Sequence, residues 1–212
     1  MSTSEALMAL TRVARERTPN GEPAHDFLHV QRVARAAQRI ADAERANVTI
    51  AVASALLHEL FNHPKGHPEA HLSGDVCAER AREVLVNLGW GPPHVEAITY
   101  AIRVHPFSRG VVPDTPEAKV LQDADRLDAI GAVGVARCFA TCAAMGSPFY
   151  AEEDPFCRAR PPNDKAFGVD HFFRKLLHIA DGLHTKTARA MAAERVRFMD
   201  QFLAELEREI GD

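Results

Sequence analysis

The sequence predicts an all-α protein, a compact helical bundle, on three observations. Apolar residues recur roughly every 3.6 residues through most of the chain. One segment, around Ala51 to Leu57, is apolar almost all the way round, as in the central helix of a bundle. β-branched runs alternating with polar residues are nearly absent. With 212 residues, a single domain over 1–212 is the simplest organisation. The 46% hydrophobic content excludes intrinsic disorder.

The elements follow in order. Residues 3–17 carry Ala6, Leu7, Leu10 and Val13, with Ser4 as the expected cap. Asn20-Gly21-Glu22-Pro23 is a turn. Asp26 to Arg45 reads as a long helix whose stripe is Leu28, Val30, Val33, Ala37, Ile40 and Ala41. Asn47 to Phe61 is the second, centrally buried helix. Residues 62–71 contain Pro64, Gly66 and Pro68 and form a loop. Ser73 is expected to cap a helix running to about Leu88, and a helix from about His94 to His105 follows the turn at Gly89 to Pro93. Pro116 suits a first helical turn, so Glu117 to Asp128 is helical. Ala129 to Ala144 continues that helix or follows a bend at Gly131. Residues 146–168 form a long, lid-like loop. Val169 to Ile179 and Thr185 to Ile210 close the chain as two helices.

Charge and targeting signals narrow the partners. Lys and Arg total 25 against 29 Asp and Glu, so no basic footprint for long nucleic acid stands out. No run of about 18 apolar residues exists, so no membrane partner is expected. The Met1-Ser2-Thr3-Ser4-Glu5 start lacks the basic and apolar regions of a signal peptide. Cys77, Cys138, Cys142 and Cys157 show no C-x-x-C spacing and read as buried thiols of a reducing, cytoplasmic compartment. The two last helices could pair copies into a homodimer, although an amphipathic stripe there reads first as core.

Three segments place ligand-type residues inside apolar stripes: His25-Asp-Phe-Leu-His29, Ala55-Leu-Leu-His58-Glu59, and Gln122-Asp123-Ala-Asp125-Arg126-Leu-Asp128. A lone helical histidine is more often a hydrogen-bonded core residue, and an acidic run is more often a solvated face. Three such interruptions together are harder to explain that way. A buried imidazole and carboxylate need partners, and one divalent cation shared by His29, His58, Glu59 and Asp125 would satisfy all four. Two imidazoles with two carboxylates suit Mn, Fe, Ni, Co or Zn better than Mg or Ca.

The order H…H-E…D, with the segments H-D-F-L-H-V-Q-R-V, A-L-L-H-E, H-P-F-S and E-A-K-V-L-Q-D-A-D-R-L-D-A-I-G-A, resembles the HD-domain metal-dependent phosphohydrolase superfamily, in an uncharacterised bacterial branch. The Asp170-His-Phe-Phe-Arg-Lys-Leu-Leu tail resembles the same branch, so the likeness runs over about residues 20–205. It implies a bundle of the HD-domain type, with a metal-site core over about 20–130 and C-terminal helices over about 169–210. His29, His58 and Asp125 match the family ligands. Glu59 stands where the family has Asp. It has the same charge and one more methylene, so it ligates from a slightly longer reach, or it supports the site from behind, or the site is weakened.

The resemblance implies hydrolysis of a phosphate ester or anhydride in a small phosphorylated substrate, with a nucleotide as first choice. The alternative is a nucleotide-binding sensor or scaffold whose turnover was lost through Glu59. Lys65, Arg126 and Arg109 are expected to hold phosphate oxygens, with Arg103 as a further cation. His105 and Asp128, beside Glu59, are expected to handle protons. Asp26 either caps its helix or receives a proton. Arg158, Arg160 and Lys165 of the long loop could reach a second phosphate or a base. His63, His67 and His71 are spaced by four, but Pro64 and Pro68 forbid a regular helix there, so they read as polar loop residues. His94 and His105 lie eleven apart, which favours one metal over two. Neither G-x-x-x-x-G-K-[ST] nor G-x-S-x-G occurs, which excludes a P-loop nucleotidase and argues against a serine hydrolase of that type.

Overall fold

The computed structural model describes residues 2–18, 26–63, 67–106 and 109–211. Every regular element among them is helical, so the chain is all-α as expected. Its contacts divide it into two compact units, Met1–Asp125 and Arg126–Asp212. His25, Lys65 and the Asn20–Pro23 turn lie outside the described residues.

The first unit holds α1 (Thr3–Arg17), α2 (Phe27–Glu44), α3 (Val48–Leu57), α4 (Ser73–Asn87), α5 (Pro92–Val104) and α6 (Pro116–Asp128) as far as Asp125. α3 is its centre and packs against α1, α2 and α5, while α4 packs on α5. Seven of its residues, Ala51 to Leu57, are buried in succession, as an all-round apolar helix requires. Asp26 caps α2 by accepting from the His29 N–H at 2.9 Å. α1 is capped by Ser2 rather than Ser4: Ser2 and Glu5 exchange bonds in a capping box. Ser73 does not cap α4, whose cap position is Leu72. Its Oγ instead accepts from the His63 N–H at 3.1 Å. α4 and α5 meet closely at Gly74, where a Cβ would stand 2.7 Å from the Arg103 carbonyl oxygen.

α3 stops at Leu57, four residues short of the expected end. No proline or glycine ends it. The His58 Nδ1 turns back to donate to the Ala55 carbonyl at 2.7 Å, and the Cys77 thiol from α4 donates to the Leu57 and His58 carbonyls at 3.3 and 3.1 Å. These bonds satisfy carbonyls that a helix end leaves open. α5 ends in the same way: the His105 Nδ1 donates to the Ile102 carbonyl at 2.6 Å.

The second unit holds α7 (Gly131–Ala144), α8 (Asp170–Arg174), a 3-10 segment at Leu176–Gly182, and α9 (Lys186–Gly211). Gly131 opens α7 at φ +77°, a left-handed conformation that suits glycine, so α6 and α7 are separate helices. α7 packs on α9, and Phe139, Phe172 and Phe202 meet at ring-centroid distances of 5.9–6.1 Å. The single helix expected over Val169 to Ile179 is broken in two at Lys175, whose φ −139° and ψ −55° leave the helical region. The irregular 146–168 segment is fastened at its base by Gly168 N–H to Pro148 O and Val169 N–H to Phe149 O. Arg160 reaches from this segment to Asp170, which it grips through both carboxylate oxygens while the Asn163 N–H donates to the same group.

Among the described residues no single helix is long and apolar enough to cross a membrane. All four cysteines are free thiols; three are buried, and Cys157 is half-buried.

Candidate metal centre

Three helices of the first unit bring four donors together. His29 comes from the first turn of α2, His58 and Glu59 from the end of α3, and Asp125 from α6. His29 and His58 are fully buried, Glu59 is 7% exposed, and the Asp125 side chain is 29% exposed. The His29 and His58 Nε2 atoms are 3.2 Å apart. Asp125 Oδ1 lies 3.5 Å from the first and 3.9 Å from the second, and Glu59 Oε1 lies 3.8 and 3.9 Å from them. Neighbouring ligands held at about 2.0–2.2 Å from one first-row ion are roughly 3–3.6 Å apart. His29, His58 and Asp125 have the spacing of a cation cage, with a few tenths of an ångström to contract and all three donor atoms within 4.8 Å of one another, and Glu59 approaches the two imidazoles from outside that trio.

Protonation points the same way. His58 Nδ1 must carry a hydrogen, because its partner is a carbonyl. Burial, reinforced by His29 and His105, lowers the His58 pKa to about 3 against the opposing pull of Asp125 and the Ala55 carbonyl. The ring is thus neutral, with its Nε2 lone pair aimed at His29. That lone pair, 3.2 Å from the His29 Nε2, is met either by a hydrogen on that nitrogen or by a metal ion. Neutral imidazole and carboxylate are the ligand forms that divalent transition metals take. The residues present fit such an ion.

His105 stands behind His58, with ring centroids 5.3 Å apart in an edge-on arrangement. It is 8% exposed, and burial lowers its pKa despite the opposing influence of Asp125. Its Nδ1 is committed to Ile102, so Nε2 is the atom left for chemistry. His58, Glu59, His105 and Asp125 line a cleft of about 170 Å³ together with Phe61, Asn62, Ser73 and Gly74.

The other expected site residues divide. Lys65 is outside the described residues. Arg109 is engaged with Asp75 at 2.9 Å and with the Arg103 carbonyl at 3.2 Å, and Arg103 itself pairs with Asp75 and Glu79. In the second unit Arg126 donates to the Gly182 carbonyl, and the buried Asp128 is paired with Arg137 at 2.7 Å. Arg158 pairs with Glu207, and Arg160 is committed to Asp170. Of the expected long-loop cations, Arg160 is therefore structural. His94 sits by Trp90 on the first turn of α5. Sequence reasoning did not find Ser73, Gly74 and Cys77. Their signal is faint: a serine and glycine opening a helix, and a cysteine one turn further on.

Residues 27–130 match the family described as HD domain. By sequence the chain is 38% identical over 190 residues to YpgQ, an uncharacterised protein of Bacillus subtilis, covering 88% of this chain and 84% of YpgQ. The crystal structure of YpgQ in complex with ADP matches with a TM-score of 0.75 at 31% identity, over 99% of this chain and 97% of that one. An HD-superfamily hydrolase from Bacillus thuringiensis matches with a TM-score of 0.77 at 27% identity, over 98% of both chains. With its H…H-E…D donors gathered at one cleft, this chain belongs to the HD domain family and has the fold of the HD-superfamily hydrolases.

Proposed function

We propose that this protein is a metal-dependent phosphohydrolase acting on a small phosphorylated substrate, a nucleotide. The observation that carries the reading is the trio His29, His58 and Asp125, with donor atoms within 4.8 Å of one another, and the buried Glu59 beside them at the wall of a cleft. The ADP bound by YpgQ supports the nucleotide assignment. The donor set favours Mn, Fe, Ni, Co or Zn over Mg. When bound, such an ion supplies an activated water and an electrophilic pull on a phosphoryl oxygen.

The chain's own residues do the remaining work. The Ala55 carbonyl fixes the His58 ring so that Nε2 faces the donor set. Glu59 supplies its oxygen from one methylene further back than an aspartate would. His105, with Nδ1 tied to Ile102, offers Nε2 to accept a proton from the attacking water or to return one to the leaving oxygen. Lys65, six residues after Glu59 in the chain, offsets phosphate charge. Arg109 joins it only by giving up Asp75.

The test is turnover of a panel of nucleoside mono-, di- and triphosphates with Mn, Ni, Co, Zn or Mg supplied to metal-free protein. Phosphate or pyrophosphate release that requires the metal, and is strongest with a transition metal, supports the reading. Metal-dependent nucleotide binding with no turnover would replace it with the sensor reading, in which Glu59 has cost the site its catalysis. No binding and no turnover would overturn both.

A further inference from the structure

A second group of ligand-type side chains stands apart from the cage. His63, His67 and Glu69 each place one donor atom within 4.8 Å of the others. Pro64 and Pro68 speak against a regular helix aligning the two histidines, yet the fold brings their rings together, stacked at 4.4 Å with 8° between planes. His63 is held from both sides. Its ring meets Phe61 edge-on at 4.7 Å, and its backbone N–H donates to Ser73 Oγ. The cluster is flanked in the chain by Asn62 and Ala70, and both line the cleft, as does Ser73.

We propose that His63, His67 and Glu69 form a second divalent-cation site at the rim of this cleft. Two imidazoles and one carboxylate select a borderline ion such as Zn, Co, Ni or Cu(II). Three protein donors leave coordination positions open to water or to an oxygen of an anion in the cleft. His63 is half-buried while His67 and Glu69 are exposed, so the site exchanges its ion with solvent more readily than the buried cage does.

The cost of binding is visible. His67 Nδ1 accepts from the Glu69 N–H at 3.1 Å. Ligation through Nδ1 displaces that amide, and ligation through Nε2 moves the ring hydrogen to Nδ1 and also ends the bond. Either way one exposed hydrogen bond is exchanged for a metal–nitrogen bond. The rings must also tilt away from parallel, because imidazoles meet an ion with lone pairs lying in their own planes. Occupation therefore reorients His67 against a comparatively fixed His63. This site is independent of the function proposed for the cage.

Cobalt(II) titration of chelator-treated full-length protein, followed by equilibrium dialysis, tests the assignment. Wild type is expected to bind two equivalents, one tightly and one more weakly. His67→Ala is expected to lose only the weaker equivalent, His58→Ala only the tighter. His71→Ala, which removes a neighbouring exposed histidine, is expected to bind as wild type does. A His67→Ala curve that superimposes on wild type, whether wild type binds one equivalent or two, or loss in His71→Ala of the equivalent that His67→Ala loses, would each overturn the assignment. Because the readout is stoichiometry, failure here leaves the turnover test of the cage untouched.

Discussion

Glu59 and Asp170 are both buried carboxylates, and the protein surrounds them differently. Asp170, in the second unit, is met by a guanidinium on both oxygens and by a backbone N–H. Glu59, in the first, faces imidazole nitrogens at 3.8 and 3.9 Å, with the Asp125 carboxylate near the same two rings. A carboxylate answered by the chain's own fixed cation fastens structure. One that shares its space with two imidazoles and a second carboxylate gathers donor atoms around one point, which suits a cation from solution. The same residue chemistry thus separates a rivet from a socket.

That contrast can be broken most sharply at His58. His58→Ala is expected to lose metal by more than the roughly 10–100-fold typical of changes behind a metal's direct ligands, and to lose turnover with it. Its helical circular dichroism should remain, and metal analysis beside the far-ultraviolet spectrum checks both halves. On the Asp170 side, Arg160→Leu leaves a carboxylate buried without its cation. It is expected to cost about 3 kcal/mol in urea unfolding while metal content stays at the wild-type level.

The Asp170 pair carries a pH signature. Burial raises the carboxyl pKa, but the Arg160 and Asn163 hydrogen bonds outweigh it and the net shift is downward. A depressed folded pKa adds stability that is complete above the unfolded value of about 4 and fades as pH falls toward the folded one. The unfolding free-energy difference between wild type and Asp170→Asn should therefore shrink below about pH 4.

Glu59→Gln, which swaps an anionic donor for a neutral amide, is expected to weaken metal retention less than His58→Ala does. Glu59→Asp should retain the metal, and isothermal titration with Mn distinguishes the two. The smallest effect is expected at the start of α2. Asp26→Ala removes its cap at about 1 kcal/mol, and thermal unfolding should register the loss with the metal still bound.

The sequence made some of this legible, and physical reasons separate what it did from what it did not. Asp26 three residues before His29 is a local signal, and the cap forms as read. Ser2 and Glu5 offered an equally local capping box, but Ser4 lies closer to the apolar stripe and drew the assignment. The end of α3 was not readable, because nothing at positions 58–61 breaks a helix; the chain turns there through the His58 ring and a thiol twenty residues beyond Leu57. The break at Lys175 is of the same kind. Arg160 looked like a phosphate ligand because a cation in a loop shows its charge and hides its partner, ten residues further on in a helix. His29, His58, Glu59 and Asp125 stood out because each interrupts an apolar stripe, an anomaly visible before folding.

Cys77 gives the candidate metal centre a built-in witness. Its sulfur lies against the His58 carbonyl, it is 1% exposed, and burial raises its pKa to about 12. An alkylating reagent needs a thiolate and a path to it, and in the closed protein Cys77 offers neither. Its labelling rate therefore counts the moments when the end of α3 lifts from α4. An ion bound across His29, His58 and Asp125 ties that end to two other helices, so ligand occupancy would be written in the chemistry of a sulfur that never touches the metal.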